Sequence, residues 1–245
     1  MTALGTLTRR SVLGTLRDGD LVFAIGGPVA FFVCFDITLR NVIQTDGMGY
    51  PQYILPVIVV QAMIFTAMTT ADRAARDHLS GMGIRMRSLP ITALAPVTAR
   101  MLSSLVRAAA ALTAALAVGF AFAFRFAGGV ADLLAFVGLA LLLSLALSLG
   151  ADAMGSVAAS TEAAGQTLLV PQLLLVMLST GIAPAQSFPS WLGPFVRNQP
   201  VSVIADTLRG LAVGEHIRVG TSAAWCVGLL VVFGAIAVRM QRRAT

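Results

Sequence analysis

Long apolar runs separated by short, arginine-bearing intervals set the pattern of this chain. Six runs, 21–39, 52–71, 106–124, 130–149, 165–183 and 223–238, approach the length at which a helix rising about 1.5 Å per residue crosses a hydrocarbon core of roughly 30 Å. The pattern therefore predicts one all-α membrane domain over 1–245 with six transmembrane helices. Two stretches depart from it. At the N-terminus, Leu7, Val12, Leu13 and Leu16 oppose arginines, as expected of an amphipathic helix lying on the lipid surface. Thr8 to Leu13 resembles a twin-arginine export signal, but Arg17, Asp18 and Asp20 interrupt the apolar core that should follow it. After residue 183, Pro189, Pro194 and Pro200 break the backbone while Phe188, Trp191 and Phe195 interleave. Val201, Ile204, Leu208 and Leu211 then give a helix a single apolar face. Arg197, Asp206 and Arg209 make a span improbable here, so this Pro-broken segment is expected to be re-entrant or to lie along the lipid surface.

Composition agrees with a polytopic membrane protein: 57% of the 245 residues are hydrophobic and only 11% are charged. All 17 basic residues are arginine. A chain without lysine cannot form the Gly-x-x-x-x-Gly-Lys-Ser/Thr phosphate loop, so nucleotide chemistry would have to come from another polypeptide. The net charge of +6 sits at the ends of apolar runs and not along one basic face, which speaks for topology and against nucleic acid. With the N-terminus inside, eleven arginines fall in inner segments and five in outer ones. The positive-inside bias thus predicts cytoplasmic termini, a cytoplasmic 71–90 interval and an outer Pro-broken segment.

Within 71–90, Asp72 and Arg76, and Arg73 and Asp77, stand four apart, the spacing of paired charges on a short helix. Gly81 and Gly83 should end it. Arg107 is expected to snorkel to the near interface, and Asp36 to reach water or headgroups at the outer end of the first run. His78 and His216 fall on opposite sides of the membrane. No His-Glu-x-x-His, Cys-x-x-Cys or Gly-x-Ser-x-Gly is present, so neither a metal site nor a catalytic residue is assigned. Asp36, Asp132 and Asp152 lie toward run ends, which disfavours proton coupling at the midplane.

Two stretches carry a family resemblance. MLSTGIAPAQSFPSWLGPFVRNQPVSVIADTLRGL, 177–211, and GMGIRMRSLPITALAPVTAR, 81–100, are similar to the permease subunits of type-2 ABC exporters, in the daunorubicin-resistance and complex-lipid group. Phe195-Val196-Arg197-Asn198-Gln199-Pro200 is the most specific part. The resemblance implies a bacterial cytoplasmic membrane location. It implies a coupling helix, with Arg73, Arg76, Asp77, Gly81, Arg85 and Arg87, docked on a separate ATP-binding subunit that holds the ATP and magnesium, leaving this chain without a cofactor. It also implies a second permease, identical or related, and an amphipathic drug or lipidic substrate moving between the two. Gln61, Thr66, Gln172, Ser179 and Thr180 are the polar residues such a path could use, helix–helix hydrogen bonding being the alternative role. Trp191, Phe195, Arg197, Asn198, Gln199 and Pro200 would form the outer segment. The competing class is an intramembrane enzyme or a membrane scaffold.

Overall fold

The computed structural model describes residues 19–40, 48–81 and 95–243. The N-terminal surface helix, Gly83, Arg85 and Arg87 lie outside the described residues. The elements in order are α1 Asp20–Leu39, α2 Tyr50–Leu79, α3 Ala95–Ala121, α4 Val130–Gly155, α5 Thr161–Met177, a 3-10 turn Ala185–Ser187, α6 Gly193–Asn198, α7 Pro200–Val213 and α8 Val219–Arg243. Every regular element among the described residues is helical. Among the described residues four helices are long and apolar enough to cross a membrane: α2, α3 from Pro96, α4, and α8 to Met240. α1 contributes a shorter apolar stretch, Ala24–Leu39, and α5 is 17 residues long.

The bundle is built around α2, which packs against α1, α3, α4, α5 and α7. Its first half, YPQYILPVIVVQAM, is apolar on nearly every side, and a helix of that kind has no face to give to water. Accordingly 78% of its apolar window is buried, against 17% for α8, which packs mainly against α4 and α7. Pro51 sits in the first turn, where its missing amide is harmless. Gly81, in the left-handed region at φ 67°, closes the other end.

No glycine or proline interrupts the sequence from Val57 to Ser80, so α2 continues through the charged stretch. Residues 71–79 are thus its last turns and not a separate short helix. Along them Ala67, Ala71 and Ala75 meet Ala151 of α4 and Ala164 of α5 in a small-residue contact. Gly155 completes it: a Cβ there would stand 2.2 Å from the Ala71 carbonyl oxygen. Only a residue without a side chain lets the two backbones come this close.

Most helix boundaries extend past the apolar runs. α3 begins at Ala95 where the third run begins at 106, and α4 continues to Gly155 past 149. Charges that break the apolar pattern pair with one another here, so the helices do not have to stop at them. α5 opens at Thr161, where the Ser160 hydroxyl accepts the Ala163 amide at 3.1 Å. It ends at Met177, short of the predicted 183.

The largest departure concerns α7. Val201, Ile204, Leu208 and Leu211 do form one apolar face, but they are buried against α2, α4 and α8, so the face expected to meet lipid meets protein. Its polar positions bind protein too: Thr207 donates to the Val203 carbonyl at 2.9 Å and shares a 2.6 Å hydrogen bond with Ser222 of α8.

Substituting Gly155→Leu should force α4 off α2 and lower stability by about 1–3 kcal/mol, whereas Gly138→Leu, with open space at its Cβ, should be tolerated. Thermal melting in detergent, read by size-exclusion chromatography, checks the contrast.

Candidate functional site

Polar side chains gather at both ends of α2, a helix of 30 residues and so about 45 Å long. At its C-terminal end Arg100 of α3 reaches across to α4. Its Nε donates to Asp152 Oδ1, and its Nη2 to Oδ2 at 3.2 Å. A third contact runs from Nη1 to Asp77 Oδ2 of α2 at 3.4 Å. One guanidinium therefore binds the ends of three helices. The planar fork suits this task, since it can hold a carboxylate with two donors and still offer a third.

Deeper in, Arg107 is fully buried, with Nη2 donating to Thr70 Oγ1 at 2.9 Å and Nη1 to Ser103 Oγ at 3.4 Å. It does not snorkel. α3 starts at Ala95, which puts Arg107 roughly 18 Å along the helix and among the side chains of the neighbouring helices. Ser104 and Ser148 share a hydrogen bond of 2.6 Å beside it, joining α3 to α4. Asp36 is likewise buried instead of open to water, with Arg40 at 3.8 Å.

At the N-terminal end of α2 a second network forms around Arg209 of α7. Its Nη1 donates to Asp206 Oδ1 at 2.7 Å, its Nη2 to the Tyr53 carbonyl at 3.1 Å, and its plane lies 3.9 Å from the centroid of the Tyr53 ring. Tyr53 in turn donates its hydroxyl to the Thr180 carbonyl at 2.6 Å. Thr180 donates its hydroxyl to Asp206 Oδ2 at 3.0 Å and its amide to Ser202 Oγ at 3.0 Å. Beside this network opens a concavity of about 340 Å³ lined by Tyr53, Thr180, Pro184, Ala185, Gln186, Arg197, Asp206, Arg209 and Arg218. His216 stands at the same end, 2.8 Å from Asp132, while His78 is exposed at the opposite end. In the first turn of α5, Glu162 is held below the usual carboxylate range by its backbone hydrogen bond and then by the Ser160 and Thr161 hydroxyls.

The residues singled out from sequence divide between these places. Arg76 is exposed and Arg73 half-buried on the last turns of α2, Asp77 meets Arg100, and Gly81 ends the helix. Gln61 and Thr66 are buried in α2, and the Thr66 hydroxyl donates to the Ala62 carbonyl at 3.0 Å. Gln172 is buried in α5. Ser179 and Thr180 lie in the turn beyond α5, the Ser179 hydroxyl donating to the Val176 carbonyl at 2.7 Å. Of these five, only Thr180 borders the concavity.

In the Pro-broken segment Trp191 and Phe195 project outward, 77% and 50% exposed. The Asn198 amide donates to the Pro194 carbonyl at 2.8 Å. Gln199 Nε2 donates to the carbonyls of Leu175 and Leu178, answering the open C-terminal end of α5, and Pro200 starts α7. Tyr53, Asp206, Arg209 and Arg218, missed as a unit from sequence, are the residues that build this end. The spacing of Asp206 and Arg209, three apart on a helix, was the available signal.

The model of the family described as ABC-2 family transporter protein matches residues 35–239, which contain both networks. The chain belongs to this family. It is 33% identical over 229 residues to the doxorubicin resistance ABC transporter permease protein DrrB of Mycobacterium tuberculosis, covering 90% of this chain and 79% of that protein. The probable doxorubicin resistance ABC transporter permease protein DrrC of the same organism is 28% identical over 250 residues, covering 98% and 89%. The daunorubicin resistance ABC transporter permease protein DrrB1 of Streptomyces coeruleorubidus is 24% identical over 217 residues, covering 88% and 77%. Family membership and the apolar helices make this a multi-pass membrane protein.

Arg100→Ala should destabilise the bundle by about 3–5 kcal/mol because it strands the buried Asp152 carboxylate. Pairing it with Asp152→Asn should recover part of that loss. A double-mutant cycle on melting in detergent reads the coupling directly.

Proposed function

We propose that this chain is the membrane-spanning permease subunit of an ATP-driven exporter. It crosses the bacterial cytoplasmic membrane six times, through α1, α2, α3, α4, α5 and α8, with both termini in the cytoplasm. A separate ATP-binding subunit, holding ATP and magnesium, docks on the end of α2 and the interval that follows it, where Arg73, Arg76, Asp77, Gly81, Arg85 and Arg87 stand. The absence of lysine, and hence of a phosphate-binding loop, supports assigning the motor to another chain.

The observation that carries the proposal is the Arg100 junction. Asp77 on α2, Arg100 on α3 and Asp152 on α4 are joined beside the surface that a cytoplasmic partner would push. Force applied to the end of α2 is then shared by three helices and not absorbed in one. The exposed Arg76, adjacent to Asp77 in the chain, is placed to meet a carboxylate of the partner. Two permeases, identical or related, flank the route. The substrate is an amphipathic drug or complex lipid taken from the bilayer, in line with the resistance to doxorubicin and daunorubicin for which the relatives are named.

Arg76→Glu is expected to insert normally and to lower efflux by about tenfold or more, the range of a lost coupling contact. It should also abolish copurification with the ATP-binding subunit. In a Cys34→Ser, Cys226→Ser background, His78→Cys should react with an impermeant maleimide only in inverted vesicles, and Trp191→Cys only in intact cells. Labelling of His78→Cys from outside would overturn the orientation and the docking site together.

A further inference from the structure

The concavity beside Arg209 has an electrostatic imbalance that the bundle itself does not resolve. Three guanidiniums, those of Arg197, Arg209 and Arg218, border it against the single carboxylate of Asp206. Both oxygens of that carboxylate are already engaged, one by Arg209 and the other by Thr180. Neither Arg197 nor Arg218 has an ion-pair partner within 4 Å among the described residues. The Arg218 Nη1 donates to the Arg197 main-chain carbonyl at 3.0 Å, which holds the two arginines side by side despite their like charge. Arg218 does this from the left-handed region, at φ 55°, a conformation that a non-glycine residue adopts at some cost.

We propose that this concavity binds a phosphate-type anion, and that the anion is the headgroup of an acidic lipid. Arg209 is already fixed by Tyr53 and Asp206, so its charge is in place before any ligand arrives. Arg197 and Arg218 are exposed and close from the open side, where planar guanidiniums can grip phosphate oxygens in pairs. The volume of about 340 Å³ suits a headgroup. Trp191 and Phe195, exposed on the same segment, are of the type that sits at headgroup depth. The same field disfavours a cationic amphiphile. This inference rests on the exporter reading for the side of the membrane that the concavity faces, which there is the outer leaflet. The binding itself does not depend on that reading.

The test uses the purified full chain in detergent, without an ATP-binding subunit, titrated with dioleoylphosphatidylglycerol or dioleoylphosphatidylcholine and followed by native mass spectrometry. The wild type should prefer phosphatidylglycerol about tenfold, and the double variant Arg197→Gln, Arg218→Gln should lose that preference. Arg239→Gln with Arg242→Gln, the same loss of two charges toward the far end of α8, should keep it. If millimolar inorganic phosphate does not compete, the lipid is confirmed as the source of the anion. Competition by phosphate supports the anion site and overturns the lipid assignment. No preference in the wild type, or a preference retained by the double variant at an unchanged melting temperature, overturns the site. Intact headgroup preference in a chain that exports nothing with any ATP-binding partner would sink the exporter reading and leave the site standing.

Discussion

An arginine or aspartate on a helix inside a membrane bundle has to be answered at its own depth by another segment, because lipid offers it no hydrogen bonds. Arg100 and Asp152 satisfy that demand for each other, and Asp77 extends the pair to a third helix. Much of the architecture follows from this contact. It lets α3 start early and α4 end late, and it aligns both with the last turns of α2. The alanine and glycine contact at Ala71 and Gly155 then brings α2 and α4 close. Small residues and a shared charge cooperate here: close backbone approach shortens the reach that the guanidinium has to cover.

The opposite end answers a different demand. The chain leaves α5 at Met177, turns, and must close the unsatisfied carbonyls behind it. Gln199 does so from the start of α7, and Thr180 and Ser202 join the turn to the same helix. The motif Phe195 to Pro200 therefore has a structural function that its resemblance to exporter permeases did not specify. Its glutamine seals one helix, its proline begins the next, and its arginine is left facing the concavity. A surface-lying helix would have had to satisfy none of these.

Apolar periodicity made the helical class and the positions of the long helices legible in the sequence. α1 matches its run nearly to the residue, and the Asp72 to Asp77 charges do lie on a helix. Burial against protein was not legible. Arg107 and Asp36 were expected at interfaces because single charges in an apolar run look like run ends, yet both are buried within the bundle. What decided their position lies far away in the chain: Thr70 for Arg107 is 37 residues distant, as Asp152 for Arg100 is 52. The same holds for α7. One apolar face with a polar back is the signature of a helix half in lipid and equally of one half in protein. Only the partners of Ser202, Thr207 and Arg209 distinguish the two.

Both polar networks are attached to one helix, α2. Tyr53 and Asp77 are 24 residues apart on α2, about 36 Å along the helix, with no glycine between them and one proline, Pro56, within a turn of Tyr53. A close-packed helix transmits displacement along its length better than it bends, since bending would break hydrogen bonds that lipid cannot replace. A shift of Asp77 carried by α2 must therefore reach the Tyr53 carbonyl and ring, and with them the guanidinium of Arg209 that they hold. Arg197 and Arg218 are not attached to α2 in this way; they sit on α6 and just ahead of α8. Motion of α2 would thus change the distance between the fixed arginine and the two outer ones. In the exporter reading, α2 and Arg209 would couple the geometry of the concavity to the far end of the bundle.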